Sequence, residues 1–143
     1  MGLRRQAREL ALQVLFQHDI LQRHAPQAQH APSNIDLPPE AKPFVDQLVQ
    51  GVLANLPELD ALISRFAEHW SVERMAVVDR NILRCALYEL LYLTDIPAKV
   101  TINEAIEIAK RYGSEESGAF VNGILDRIVK SDERLQTKRM ATA

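Results

Sequence analysis

The sequence contains one cysteine, Cys85, so no disulfide can form within the chain, and such usage suits a reducing compartment. Its glycines stand apart, at Gly2, Gly51, Gly113, Gly118 and Gly123, which excludes a glycine-rich phosphate loop. The histidines, His18, His24, His30 and His69, include no pair at the i,i+4 spacing of a helical zinc site, and Cys85 has no thiolate partner. No apolar run approaches the ~20 residues of a membrane span. The arginines before the first apolar residues give the N-terminus a superficial likeness to a signal peptide. Glu9, Gln13, Gln17 and His18 interrupt the apolar stretch, however, and no small-residue cleavage site follows. Neither sign of charge dominates: 17 Lys and Arg against 19 Asp and Glu leave a net charge of -2, unlike a polybasic coat protein. The expectation is a soluble cytoplasmic protein without a catalytic constellation, metal or cofactor.

What is present is an ordinary globular composition, 47% apolar and 25% charged, over 143 residues, enough for one domain with its own core. Strict alternation of apolar and polar positions is absent, whereas spacings of three and four recur. Leu3, Ala7, Leu10, Ala11, Val14 and Leu21 share one face of a helix over about 3–22. Prolines then crowd into a loop over about 24–40. A helix over 41–56 follows, with Phe44, Val45, Leu48, Val49, Val52 and Leu56 inward, and Pro57 suits the first position of the next, which carries Leu59, Leu62, Ile63, Phe66 and Trp70. A break falls at 71–75. The segment 77–93 is apolar around most of its circumference, as in a helix buried on several sides. Thr101 to Glu104 has the form of a capping box, opening a helix over 102–112 that Gly113 ends in a left-handed stop. Ser114 or Ser117 caps a last helix to about 134, and the tail 136–143 is expected to fray. The class is all-α.

Arg4, Arg5 and Arg8 fall within the first turns, with no acid among them. On a helix they share a flank with Leu12 and Phe16, off the expected core face. Guanidiniums hold phosphate through paired N–H groups, and a neighbouring aromatic stacks on an unpaired base. A solvated helix end with Phe16 in the core is the alternative. Three phosphate contacts on single-stranded RNA give a salt slope of only about -2, so binding through them alone is modest. The acidic stretch 36–68 should lie away from RNA. Cys85, in the most apolar helix, reads as a small core residue.

Two passages, RRQARELALQVLFQ at 4–17 and WSVERMAVVDRNILRCALYELLYLTDIPAKVTINEAIEIAKRYGSEESGAFVNGILDRI at 70–128, closely resemble the NusB family of bacterial transcription antitermination factors. The resemblance implies one domain, 1–143, of six to seven helices in two small bundles packed roughly at right angles. The halves would be about 1–70 and 75–135. It further implies binding of the boxA element of ribosomal RNA leaders together with NusE, a small-subunit ribosomal protein, and loading onto RNA polymerase. It implies neither catalysis nor a cofactor. By the same resemblance Arg4, Arg5 and Arg8 belong to the RNA surface, with Phe16 beside them. Glu116, Ser117, Phe120 and Asn122 join from the last helix, while Asp79, Arg80 and Arg84 face NusE.

Other roles stand beside these. Phe120 suits a core position, Asn122 a helix cap, and Asp79 the cap of a helix starting at Arg80. Glu116 fits an RNA surface by accepting from a base amino group. Gly123 within a helix suggests a close helix contact. Gly118 and Ala119 depart from the larger polar residues common there, which argues against contacts from those two. The rival functions are the RNA-binding module of a ribosomal RNA cytosine methyltransferase and a protein-interaction adaptor. A homodimer would also cover the arginines.

Overall fold

The computed structural model describes residues 2–24 and 38–138, so most of the expected proline-rich loop lies outside the described residues. Among them the chain forms six α-helices and no strand: α1 Leu3–His24, α2 Lys42–Ala54, α3 Leu56–Phe66, α4 Val77–Tyr92, α5 Ala98–Tyr112 and α6 Ser117–Ser131. Single 3-10 turns at Pro39–Ala41, Val72–Arg74 and Glu133–Leu135 lead into α2 and α4 and follow α6. No helix among the described residues is long and apolar enough to cross a membrane.

Helix α4 is the axis of the fold, touching α1, α2, α3, α5 and α6. Its lack of a polar solvent face follows from that position, and the polar side chains it carries, Asp79, Arg80, Asn81, Arg84 and Glu89, are buried as well. The main apolar cluster draws on all six helices, from Leu12 and Leu15 of α1 to Ile124, Leu125 and Ile128 of α6. A smaller one joins Ala7 and Ala11 to Val45, Leu48, Leu93 and Ile96. The inward side of α1 is therefore rotated from the expected face. Leu12 and Leu15 are buried, whereas Leu3 is exposed.

Several helix ends differ from the local sequence signals. Prolines 43 and 57 sit in the first turns of α2 and α3, where a missing N–H leaves no hydrogen bond unmade. Helix α5 begins at Ala98 after Pro97, so Thr101 lies inside it. The capping box does not form. The Thr101 hydroxyl donates instead to Glu89 Oε1 at 3.2 Å, and Glu104 turns toward α1. Gly113 has φ -95°, not a left-handed angle. It is small for another reason: a Cβ there would stand 2.4 Å from Ser117 Oγ, which accepts from the Ser114 backbone N–H at 2.9 Å.

Trp70 lies beyond the end of α3 and is exposed. Gly123 makes no close helix contact, as a Cβ there would meet nothing within 4 Å. The start of the tail is also ordered differently. Residues 136–138 are helical, and Lys138 is buried, its ammonium donating to the Glu89 and Leu93 carbonyls at 3.0 and 2.8 Å. Both carbonyls also accept a backbone N–H, from Leu93 and Ile96, so the ammonium adds a second donor to each at the negative end of α4.

Candidate nucleic-acid interface

Two surfaces collect the residues singled out from the sequence. The first is the N-terminal end of α1, where an open depression of about 400 Å3 is lined by Arg4, Arg5, Arg8, Asp95, Val100 and Glu104. The three arginines occupy different electrostatic situations there. Arg4 has a side chain 55% exposed, lies over the Phe44 ring at 4.8 Å, and reaches Asp95 only at 3.9 Å. It is the most available cation of the three.

Arg5 is engaged by Glu104, with Nε donating to Oε2 at 2.8 Å and Nη2 to the same oxygen. The hydrogen bond from Arg5 holds the Glu104 carboxyl below its ordinary range, and Glu104 in turn raises Arg5. Arg8 is different again. Its side chain is 6% exposed, and Nε and Nη2 each donate at 2.8 Å to the two oxygens of buried Glu89, while Nη1 reaches Glu104 Oε1 at 3.3 Å. The expectation that Arg8 faces RNA is therefore corrected. A guanidinium in a bidentate buried pair cannot leave it without stranding the carboxylate in a medium of low polarity.

The second surface is a groove of about 430 Å3 between the α3–α4 connection and the start of α6. Trp70, Arg74, Met75, Asp79, Glu116 and Phe120 line it. Trp70 and Phe120 meet edge to face, with ring centroids 6.3 Å apart at 78°. Trp70 remains 51% exposed, so a large apolar face stands open to a planar ligand. His69, just before it, takes a left-handed backbone with φ 68°, which directs the chain out of α3 and into the groove wall. Phe120 is half-buried, packing on the main core with one side and on Trp70 with the other, so both roles weighed for it coexist.

Glu116 is exposed at the N-cap of α6 and Asn122 is exposed nearly two turns later, whereas Ser117 is buried, its hydroxyl taken by Ser114. Ser117 lies on the groove wall, but it is buried and its hydroxyl holds the Ser114 turn. Phe16 is half-buried on α1.

The residues expected to meet a partner protein divide in the same way. Arg80 and Arg84 point inward. Arg80 Nε donates to Asp19 Oδ2 at 2.7 Å, and Arg84 forks onto Asp60 at 2.7 and 2.8 Å while its Nη1 reaches Asp19 at 3.0 Å. Asn81 adds a bond to Asp19 at 2.9 Å. Burial pushes Asp19 up, but the donors and charges of Arg80, Asn81 and Arg84 outweigh it and hold the carboxyl below its ordinary value. This network fastens α1 and α3 to α4, and both arginines are buried. Asp79 does not cap a helix, because α4 starts at Val77 with Ala76 as its cap. Its Oδ1 is buried and has no hydrogen-bond partner among the described residues, at a position lining the groove.

Sequence reasoning passed over Glu89, Glu104, Phe44 and the exposure of Trp70. Glu104 carried a signal, since an acid three residues after Thr101 was assigned to a cap that would have consumed it. No metal-holding group of three or more His, Cys, Asp or Glu occurs among the described residues. Cys85 is buried, and burial pushes its thiol up to about 12, so it is not a nucleophile at neutral pH.

The fold and these surfaces define a class: an all-helical domain organised around a polar-studded central helix, with an arginine-bearing helix end and an open aromatic groove. Comparison with known proteins makes the class specific. The NusB family model matches residues 5–130, and the chain belongs to the NusB family. It is 50% identical over 138 residues to the transcription antitermination protein NusB of Desulfitobacterium hafniense (strain DSM 10664 / DCB-2), covering 94% of this chain and 93% of that one. A solved structure of T. maritima NusB superimposes with a TM-score of 0.83 at 47% identity, over 96% of both chains. A crystal structure of antitermination factors NusB and NusE in complex with dsRNA matches with a TM-score of 0.73 at 26% identity, over 92% of this chain and 98% of that chain.

Proposed function

We propose that this chain is a transcription antitermination factor that binds boxA-type RNA of ribosomal leaders jointly with NusE and helps load an antitermination complex on RNA polymerase. It acts by recognition, not catalysis, in the cytoplasm. The observation that carries the reading is the groove, with exposed Trp70 set against Phe120 beside Glu116. Base stacking on such a face contributes about 1–3 kcal/mol per base and tolerates any base, while a carboxylate selects exposed amino groups. Arg4 and Arg5 supply phosphate contacts that set position, not sequence. The unpartnered Asp79 oxygen is a natural acceptor for a donor from NusE. Two weak surfaces joined by a shared partner raise each other's effective concentration, which suits a protein of net charge -2.

The test is a fluorescence titration with a boxA-type single strand, a scrambled strand and a duplex, each with and without NusE. The expected result is preference for the boxA-type strand, strengthened by NusE. Equal weak binding to all three RNAs in both conditions overturns the reading.

A further inference from the structure

Each arginine at the N-terminal end of α1 faces a carboxylate in the free protein. Arg4, Arg5 and Arg8 stand against Asp95, Glu104 and Glu89, one carboxylate for each guanidinium. These pairs are not equivalent. Glu89 is buried with Arg8 and belongs to the core, whereas Asp95 is 74% exposed and holds Arg4 only at 3.9 Å. Glu104 is the intermediate case. It is partly open, it takes the Nε and Nη2 donors of Arg5 on one oxygen, and its other oxygen already touches Arg8 Nη1 at 3.3 Å.

A carboxylate oxygen receiving two N–H groups of one guanidinium occupies the place a phosphate oxygen would take. Its second contact matters as much. If Glu104 lets go of Arg5, it still has Arg8 beside it, so release leaves no carboxylate stranded. Arg8 keeps Glu89 throughout. The group of four side chains therefore has a second satisfied arrangement in which Arg5 alone is freed, toward the depression it lines.

Resting on the reading that Arg5 contacts RNA phosphate, we propose that Glu104 is an intramolecular competitor of that phosphate. It covers Arg5 in the free protein and yields to RNA by shifting onto Arg8. The consequence is discrimination. An RNA that offers only its backbone must displace Glu104 without other gain, whereas an RNA that also fills the aromatic groove offsets that cost. Glu104 thus suppresses binding to arbitrary polyanions more than binding to the recognised strand.

The substitution Glu104→Gln keeps the shape and one acceptor but removes the charge. It is expected to raise affinity for the scrambled strand about two- to tenfold and for the boxA-type strand by less. For the scrambled strand, from which Glu104 holds Arg5 back, the salt slope should steepen by up to about 0.7, the increment for one more neutralised phosphate on a single strand. For the boxA-type strand, which displaces Glu104 in either protein, it should stay the same. In an Arg5→Ala background the same substitution should give a much smaller gain, that of removing one negative charge near the RNA, which separates competition for Arg5 from a general effect of residue 104. In the unsubstituted protein the Arg5 Nε–H resonance should move on RNA addition as its acceptor changes from carboxylate to phosphate.

An unchanged or reduced affinity in Glu104→Gln, an equal gain with and without Arg5, or an Arg5 resonance unmoved at RNA saturation overturns the proposal. If Arg5→Ala weakens binding while Glu104→Gln does not strengthen it, only the competition fails. If Arg5→Ala leaves RNA affinity intact, the assignment of Arg5 as a phosphate contact falls with it.

Discussion

Replacing Arg8 by alanine separates a buried structural arginine from an RNA contact. The side chains of Arg8 and Glu89 are 6% and 2% exposed, and two 2.8 Å bonds join them. Removing the guanidinium leaves Glu89 inside the fold with the Thr101 hydroxyl at 3.2 Å and the ammonium of Lys138, which bonds the Glu89 backbone carbonyl but not the carboxylate, to offset its charge. Breaking a buried pair from one side costs about 3–5 kcal/mol, because the remaining ion keeps its desolvation penalty without its partner. For a domain of this size that corresponds to a fall in Tm on the order of 10 °C. Arg4→Ala, which removes an exposed side chain from Phe44 and Asp95, should cost no more than about 0.5–1 kcal/mol. Replacing Arg8 and Glu89 together by methionine should restore most of the loss, since an apolar pair of similar volume needs no compensation. Urea unfolding followed by circular dichroism measures all four proteins, with the m-value checking that the unfolded state is unchanged. Suppose Arg8→Ala were as mild as Arg4→Ala and weakened RNA binding instead. Arg8 would then be a surface contact, and the account of the buried pair would be wrong.

Two glycine substitutions should move stability in opposite directions. At Gly51 a Cβ would stand 2.1 Å from Tyr88 Cζ, whose ring stacks on Tyr92, so Gly51→Ala should lower stability by about 1–3 kcal/mol. At Gly123 a Cβ meets nothing within 4 Å, so Gly123→Ala should gain about 0.5–1 kcal/mol from helix propensity. Shifts of the same sign in thermal melts would contradict both assignments. The depressed Asp19 carboxyl makes stability depend on pH in the acid range. The unfolded state takes up the proton first as pH falls past the ordinary value of 3.8, so the contribution is present above that value and is lost as pH falls through the lower folded one. Asp19→Asn should therefore show a shallower loss of stability below about pH 4 than the unsubstituted protein, by urea midpoint. Identical curves would show that Asp19 is not held by its arginines.

Local rules worked where the physical cause was local. The run Val77 to Tyr92 announced a helix buried on several sides because its apolar residues lie around most of its circumference. Pro57 marked a helix start for an equally local reason. The signals failed where a tertiary partner competed for the same atoms. Thr101 and Glu104 look like a cap, but buried Glu89 takes the first and the α1 arginines take the second. Gly113 looks like a left-handed stop, yet Ser117 is what forbids its side chain. Of the candidate site, Trp70, Phe120 and Glu116 converge on one groove, whereas Arg8, Ser117, Arg80 and Arg84 are held inside.

The small count of cysteines and glycines, the spacing of apolar residues and the motifs of α4 to α6 determined by themselves the helical class and the family. Each is a property of neighbouring residues, and helix periodicity is a short-range fact. Which cations are free was decided only in the folded chain. Arg8 and Glu89 are 81 positions apart, Arg5 and Glu104 are 99 apart, and Arg80 and Asp19 are 61 apart. A buried ion pair leaves no periodic trace in the sequence. Three arginines in the first turns of α1 look alike until packing gives each a different anion, and that packing leaves Arg4 largely exposed, Arg5 covered and Arg8 fixed.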